Sequence, residues 1–169
     1  MQPYLICLDL DGTLLNDNKE ISSYTKQVLT ELQQRGHYIM IATGRPYRAS
    51  QIYYHELNMD TPVVNFNGAF VHHPKAKDFE TIHEVLDIEI SKNIISALQR
   101  SHVTNIIAEV KDYVFINNHD PRLFEGFSMG NPRIQTGNLL DHLKEAPTSL
   151  LVEADEENIP KIKEMLTHF

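Results

Sequence analysis

The sequence predicts an α/β chain, with a doubly wound parallel sheet first and a separate α+β section after it. Three observations predict this. Short apolar runs alternate with amphipathic stretches from Tyr4 to about residue 71. Acids and a hydroxyl gather where the first two runs end. Beyond about residue 80 the order changes to hairpins mixed with helices. The two sections are therefore expected at 1–80 and 81–169.

Residues 4–8 form an apolar run of the length of a strand buried on both faces. Cys7 within it is expected in the core, because no neighbouring base or cation would activate its thiol. Residues 22–35 predict a helix, capped by Ser22 or Ser23, striped by Val28, Leu29 and Leu32, and closed by Gly36. A second buried strand covers 37–42, and a helix with Pro46 at its first position runs to about Leu57. A third strand at 62–66 ends in the turn Asn67-Gly68, and 69–71 returns as a hairpin arm.

In the second section, 88–101 reads as a helix. Residues 105–110 and 113–116 form strands around the turn Lys111-Asp112. Residues 120–127 are a loop or short helix, 150–154 a strand and 159–169 a helix. The sequence starts at Met1 without a basic, then apolar, leader, and it stops inside a helix without a return to the first sheet. It therefore reads as C-terminally truncated. Its first strand would lie at an exposed sheet edge, with unpaired backbone groups that favour a homodimer through that edge.

The 169 residues carry a net charge of −8. Nucleic acid and membrane surfaces, which call for basic patches, are excluded as partners. No run has the length of a membrane span, and the expected compartment is cytoplasmic. Nine histidines are scattered, and adjacent His72 and His73 point to opposite faces of a strand, so a zinc site is not expected. His72, His73 and His83 read as solvated linker. Asp155, Glu156 and Glu157 read as a solvated turn, and Lys161 and Lys163 as surface.

The chemistry concentrates in Asp9-Leu10-Asp11-Gly12-Thr13. Residues i and i+2 of an extended segment share a side, so Asp9 and Asp11 leave the first strand together. That strand end is where open α/β sheets bind ligands, and Gly12 lets the chain turn away. Two neighbouring carboxylates suit a metal, or a nucleophile with an acid/base partner. By itself Asp-x-Asp-Gly could be a mere turn. A second element at the end of strand two weighs against that. Thr43-Gly44-Arg45 presents a hydroxyl and a backbone N–H where a helix begins, which suits a phosphate oxygen. Arg45 either contacts that phosphate or pairs with an acid at the mouth, and both readings stand.

Asp9-x-Asp11-Gly12-Thr13-Leu14-Leu15, Ile41-Ala42-Thr43-Gly44-Arg45 and Asn65-x-Asn67-Gly68-Ala69 together resemble the haloacid dehalogenase-like (HAD) phosphatases. More narrowly they resemble the Cof-type branch. The resemblance implies a Rossmann-like parallel-sheet core with an inserted α+β cap of the C2 type, both incomplete here. It implies that Asp9 is the nucleophile that becomes an aspartyl-phosphate and that Asp11 is the acid/base. Leu10, Thr43 and Gly44 would hold the phosphoryl group. Mg²⁺ would be bound by the Asp9 carboxylate and the Asp11 backbone carbonyl. Arg45, Asn67 and Gly68 would contact substrate or form the hinge to the cap. The implied substrates are small phosphorylated metabolites.

This sequence departs from the family pattern in one respect. The family's lysine and its later acidic cluster do not occur here, so the 169-residue chain is expected to be a weak or inactive phosphatase alone. The alternative is a non-catalytic protein that keeps the core fold for binding or assembly. A receiver-like phosphotransferase is disfavoured, because its acids come from different strands.

Overall fold

The computed structural model describes residues 2–169; Met1, on which the expectation of a start without a leader falls, lies outside them. The chain divides into two compact units, one up to His83 and one from Glu84 to Phe169.

The first unit is built on β1 (Leu5–Leu8) and β2 (Tyr38–Ile41), which pair in parallel from Leu5 opposite Tyr38 to Leu8 opposite Ile41. A parallel bridge from Ala42 to Val64 carries the order on to β3 (Val63–Asn65). Two antiparallel arms, β4 (Phe70–His72) and β5 (Ile82–His83), follow. The crossovers are α1 (Ser23–Gln34) and α2 (Tyr47–Glu56), as parallel strands require. Ser22 caps α1 by accepting the N–H of Thr25 at 3.1 Å. Pro46 is the residue before the first turn of α2 rather than the first inside it, with ψ 160°. The core gathers Leu10, Leu14, Leu29, Ile39, Ile41, Tyr54, Met59 and Val63.

Two expectations fail at β1. The strand is not buried on both faces: Leu5 is 59% and Tyr4 63% exposed. Cys7 is exposed as well. An apolar run is buried only where neighbours cover it, and among the described residues β1 pairs with β2 alone. The histidines also differ from a solvated linker. His72 stacks on Phe70 and meets Tyr47 edge-on, both at 4.6 Å between ring centroids. His83 packs edge-on to Phe70. The β4–β5 arm brings these rings together.

The second unit is a four-stranded sheet in the order β8 (Arg133–Thr136), β7 (Tyr113–Ile116), β6 (Asn105–Val110), β9 (Ser149–Glu153). Only the β7–β8 pair is parallel. Side chains alternate across strands, so β6 feeds two cores. Ile106, Ala108 and Val110 pack with α3 (Ile88–Gln99), α5 (Leu139–His142) and α6 (Ile159–Leu166). Ile107 packs with Val114, Ile116 and residues of α4 (Pro121–Phe127). Lys161 and Lys163 are exposed on α6, and Glu156 and Glu157 are exposed in the turn before it. No helix among the described residues is long and apolar enough to cross a membrane.

Candidate active site

The site begins where β1 ends. The chain turns through a wide loop, in which the N–H of Leu14 reaches the carbonyl of Asp9 (3.2 Å) and that of Leu15 the carbonyl of Leu10 (2.9 Å). Gly12 takes φ +75°, a left-handed conformation that suits a residue without Cβ. Leu10 and Leu14 drop into the core, and Leu10 is fully buried. Asp9 and Asp11 on either side of Leu10 stay exposed. The extended alternation expected from the sequence does not persist here: Leu10 turns helically between extended Asp9 and Asp11, and both acids are exposed because the loop buries Leu10 and Leu14 instead.

The second loop leaves β2. Ala42 donates its N–H to the carbonyl of Leu8 at 2.9 Å, so both loops emerge at the same end of the sheet. Thr43 is 4% exposed and tied to β3 through its N–H and the carbonyl of Val64 (2.9 Å). Its hydroxyl accepts the N–H of Arg45 at 3.2 Å. A third loop, Phe66-Asn67-Gly68, closes against it. The N–H of Asn67 bonds the carbonyl of Thr43 (3.2 Å), and the N–H of Phe66 that of Arg45 (3.3 Å). Buried Asn65 adds its side-chain amide to the carbonyl of Arg45 (2.9 Å) and to the hydroxyl of Ser50 (3.0 Å). All three residues of this loop have positive φ: 51°, 54° and 104°. The Asn67 side chain lies so close to Gly44 that a Cβ there would sit 2.9 Å from its Oδ1.

Arg45 joins the loops. Its Nε meets Asp11 Oδ2 at 2.7 Å and its Nη2 meets Oδ1 at 2.8 Å. This is the two-pronged geometry in which a guanidinium fork matches a carboxylate. Of the two readings of Arg45, pairing with an acid is the one observed. Lys19, absent from the sequence reading, places Nζ 2.8 Å from the same Asp11 Oδ1. Hydrogen bonds from Arg45 first and Lys19 second hold the Asp11 carboxyl well below the usual carboxylate range, against a smaller opposing effect of burial. No hydrogen bond to the Asp9 carboxylate occurs among the described residues. The site therefore offers one unengaged carboxylate, one carboxylate saturated by cations, and a glycine-containing loop held on β3.

A family model described as haloacid dehalogenase-like hydrolase matches residues 6–169. The chain belongs to the haloacid dehalogenase-like hydrolases. Among HAD relatives, the 5-amino-6-(5-phospho-D-ribitylamino)uracil phosphatase YitU of Bacillus subtilis is 43% identical over 166 residues, covering 98% of this chain and 62% of that protein. A crystal structure from Thermotoga maritima is 27% identical with a TM-score of 0.79, covering 99% of this chain and 62% of that one. A haloacid dehalogenase-like hydrolase from Bacteroides thetaiotaomicron shares the fold at 24% identity, with a TM-score of 0.82 over 98% of this chain and 63% of that one. This HAD chain thus spans less than two thirds of the length of these relatives.

Proposed function

We propose that this chain carries the nucleophile-bearing part of a phosphatase for small phosphorylated metabolites. The observation that carries the reading is the joining of the β1 and β2 loops at one end of the sheet through Arg45 and Asp11. An Asp9 carboxylate oxygen attacks phosphorus as the bond from phosphorus to the ester oxygen breaks. Asp11, once protonated, gives its proton to the leaving oxygen. Water then attacks the aspartyl-phosphate, passes a proton to Asp11 and releases phosphate, which restores the Asp9 carboxylate. The N–H groups of Leu10 and Gly44 and the hydroxyl of Thr43 are the donors assigned to the phosphoryl oxygens, where negative charge builds up.

Magnesium takes hard oxygen ligands and commonly binds through one or two carboxylates plus substrate phosphate, keeping several waters. The Asp9 carboxylate and Asp11 backbone carbonyl fit it in kind. Among the described residues no group of three ligating side chains completes a closed site. Bound there, the ion would offset the repulsion between a carboxylate and an anionic ester. With so few protein ligands, the chain alone is expected to turn over weakly or not at all.

Residues 1–80 are assigned to the core and 81–169 to the cap, with Asn67 and Gly68 lining the site or serving as hinge. The likeness to YitU supports a substrate with a phosphorylated polyol or sugar arm. A cytoplasmic setting goes with this reading. The test is beryllium fluoride trapping and aryl phosphate turnover with Mg²⁺. At most slow turnover is expected, and Asp9→Asn should remove both signals. Turnover that survives Asp9→Asn would refute the assignment. Exposed β1 supports a second reading, in which the fold serves assembly through that edge.

A further inference from the structure

The cations at the mouth already hold an anion. Asp11 Oδ1 receives Lys19 Nζ and Arg45 Nη2, each at 2.8 Å, while Arg45 Nε takes Oδ2. Two cations gathered on one oxygen repel each other unless an anion sits between them. A guanidinium fork with an added ammonium is equally suited to the oxygens of a phosphate.

The arrangement is built rather than incidental, because one buried side chain positions both cations. The Tyr53 hydroxyl donates to the carbonyl of Lys19 at 2.9 Å, in a turn where Lys19 adopts φ +61°. The Tyr53 ring also lies under the Arg45 guanidinium, 5.6 Å from centroid to carbon. Tyr53 is 5% exposed, and the Arg45 side chain only 16%. Lys19 and Tyr53 also border a cavity of about 600 Å³ in this unit, which gives the lysine room to reorient.

We propose that Lys19 and Arg45 form an anion cradle, which Asp11 fills in the free protein and the phosphate group of an incoming ester takes over. Resting on the phosphatase reading, the exchange adds a role for Lys19 and makes arrival of phosphate the event that frees Asp11. Lys19 becomes a phosphate-binding residue. Asp11 acts as an internal competitor of substrate until it is displaced.

The test is titration of the full chain with inorganic phosphate in metal-free buffer. Asp11→Asn removes the competitor and should tighten phosphate binding about tenfold, the equivalent of one charge-assisted hydrogen bond. Lys19→Met in that background should weaken it about tenfold, and Lys19→Arg should restore it. Asp17→Asn, which removes an equal charge from an exposed position in the turn that carries Lys19, should change affinity less than about twofold. In the parent chain, saturating phosphate should shift the Asp11 side-chain carboxyl carbon resonance, a readout that needs no variant to fold. Three outcomes overturn the cradle: equal or weaker phosphate binding by a folded Asp11→Asn chain, indifference to Lys19→Met, or an unmoved Asp11 signal. None involves turnover, so failure of Asp9 as nucleophile would be seen separately, in the trapping experiment.

Discussion

At the site, close approaches differ in how easily they are relieved. An added Cβ on Gly44 would meet Asn67 Oδ1 at 2.9 Å, but Asn67 is exposed and its side chain can swing aside. Gly44→Ala is therefore expected to cost less than about 1 kcal/mol in a denaturant titration. Asn67→Gly should stabilise the chain by itself, because Asn67 holds φ +54°. At this scale the sequence was partly legible. Asp9, Asp11, Thr43 and Gly44 stood out because their residue types and spacing match the ends of strands. The partner of Arg45 did not, because motif spacing carries no side-chain direction. Lys19 gave no signal at all. It sits in a polar turn, and it reaches Asp11 only because the wide loop after β1 and the Tyr53 hydroxyl fix where that turn lies.

Whole elements were legible where their pattern was long. The helix α3 follows its apolar period and is started by Asp87, whose Oδ1 accepts the N–H groups of Glu89 and Ile90, both at 2.9 Å. Asp87→Ala should lower stability by about 1 kcal/mol, read from thermal or urea unfolding, with Asp87→Asn losing less. Strands β6 and β7 also stand where the apolar runs on either side of the turn Lys111-Asp112 put them. Elements such as β8 and α5 had no such pattern. The strand β8 has four residues with only half-buried alternate positions, and it exists because β7 offers it a parallel edge. The helix α5 is one turn long, started by Asn138 and held by fully buried Leu139. Elements this short depend on tertiary neighbours, and local composition under-reports them.

At the scale of the molecule, sequence reading identified the α/β class and the separate α+β section but misjudged where burial stops. The run 4–8 is apolar enough for a core strand, yet whether it is covered depends on what pairs beyond it. Among the described residues nothing does. A thiol-specific chromogenic reagent should therefore modify Cys7 stoichiometrically in native buffer, at a rate close to that of a small free thiol. If copies of the chain assemble through β1, the rate should fall as protein concentration rises, and sedimentation should show the matching dimer. A slow rate independent of concentration would contradict the exposure described for this strand.

The backbone of the loop after β3 reverses a familiar ranking of substitutions. Phe66 is 8% exposed, yet its φ is +51°. Truncating a buried phenylalanine to alanine ordinarily costs about 3–5 kcal/mol, and glycine costs more. Here alanine would inherit the left-handed torsion and its penalty of about 1–2 kcal/mol, whereas glycine would not. Phe66→Gly should leave the protein more stable than Phe66→Ala, so that the smaller residue is the gentler replacement.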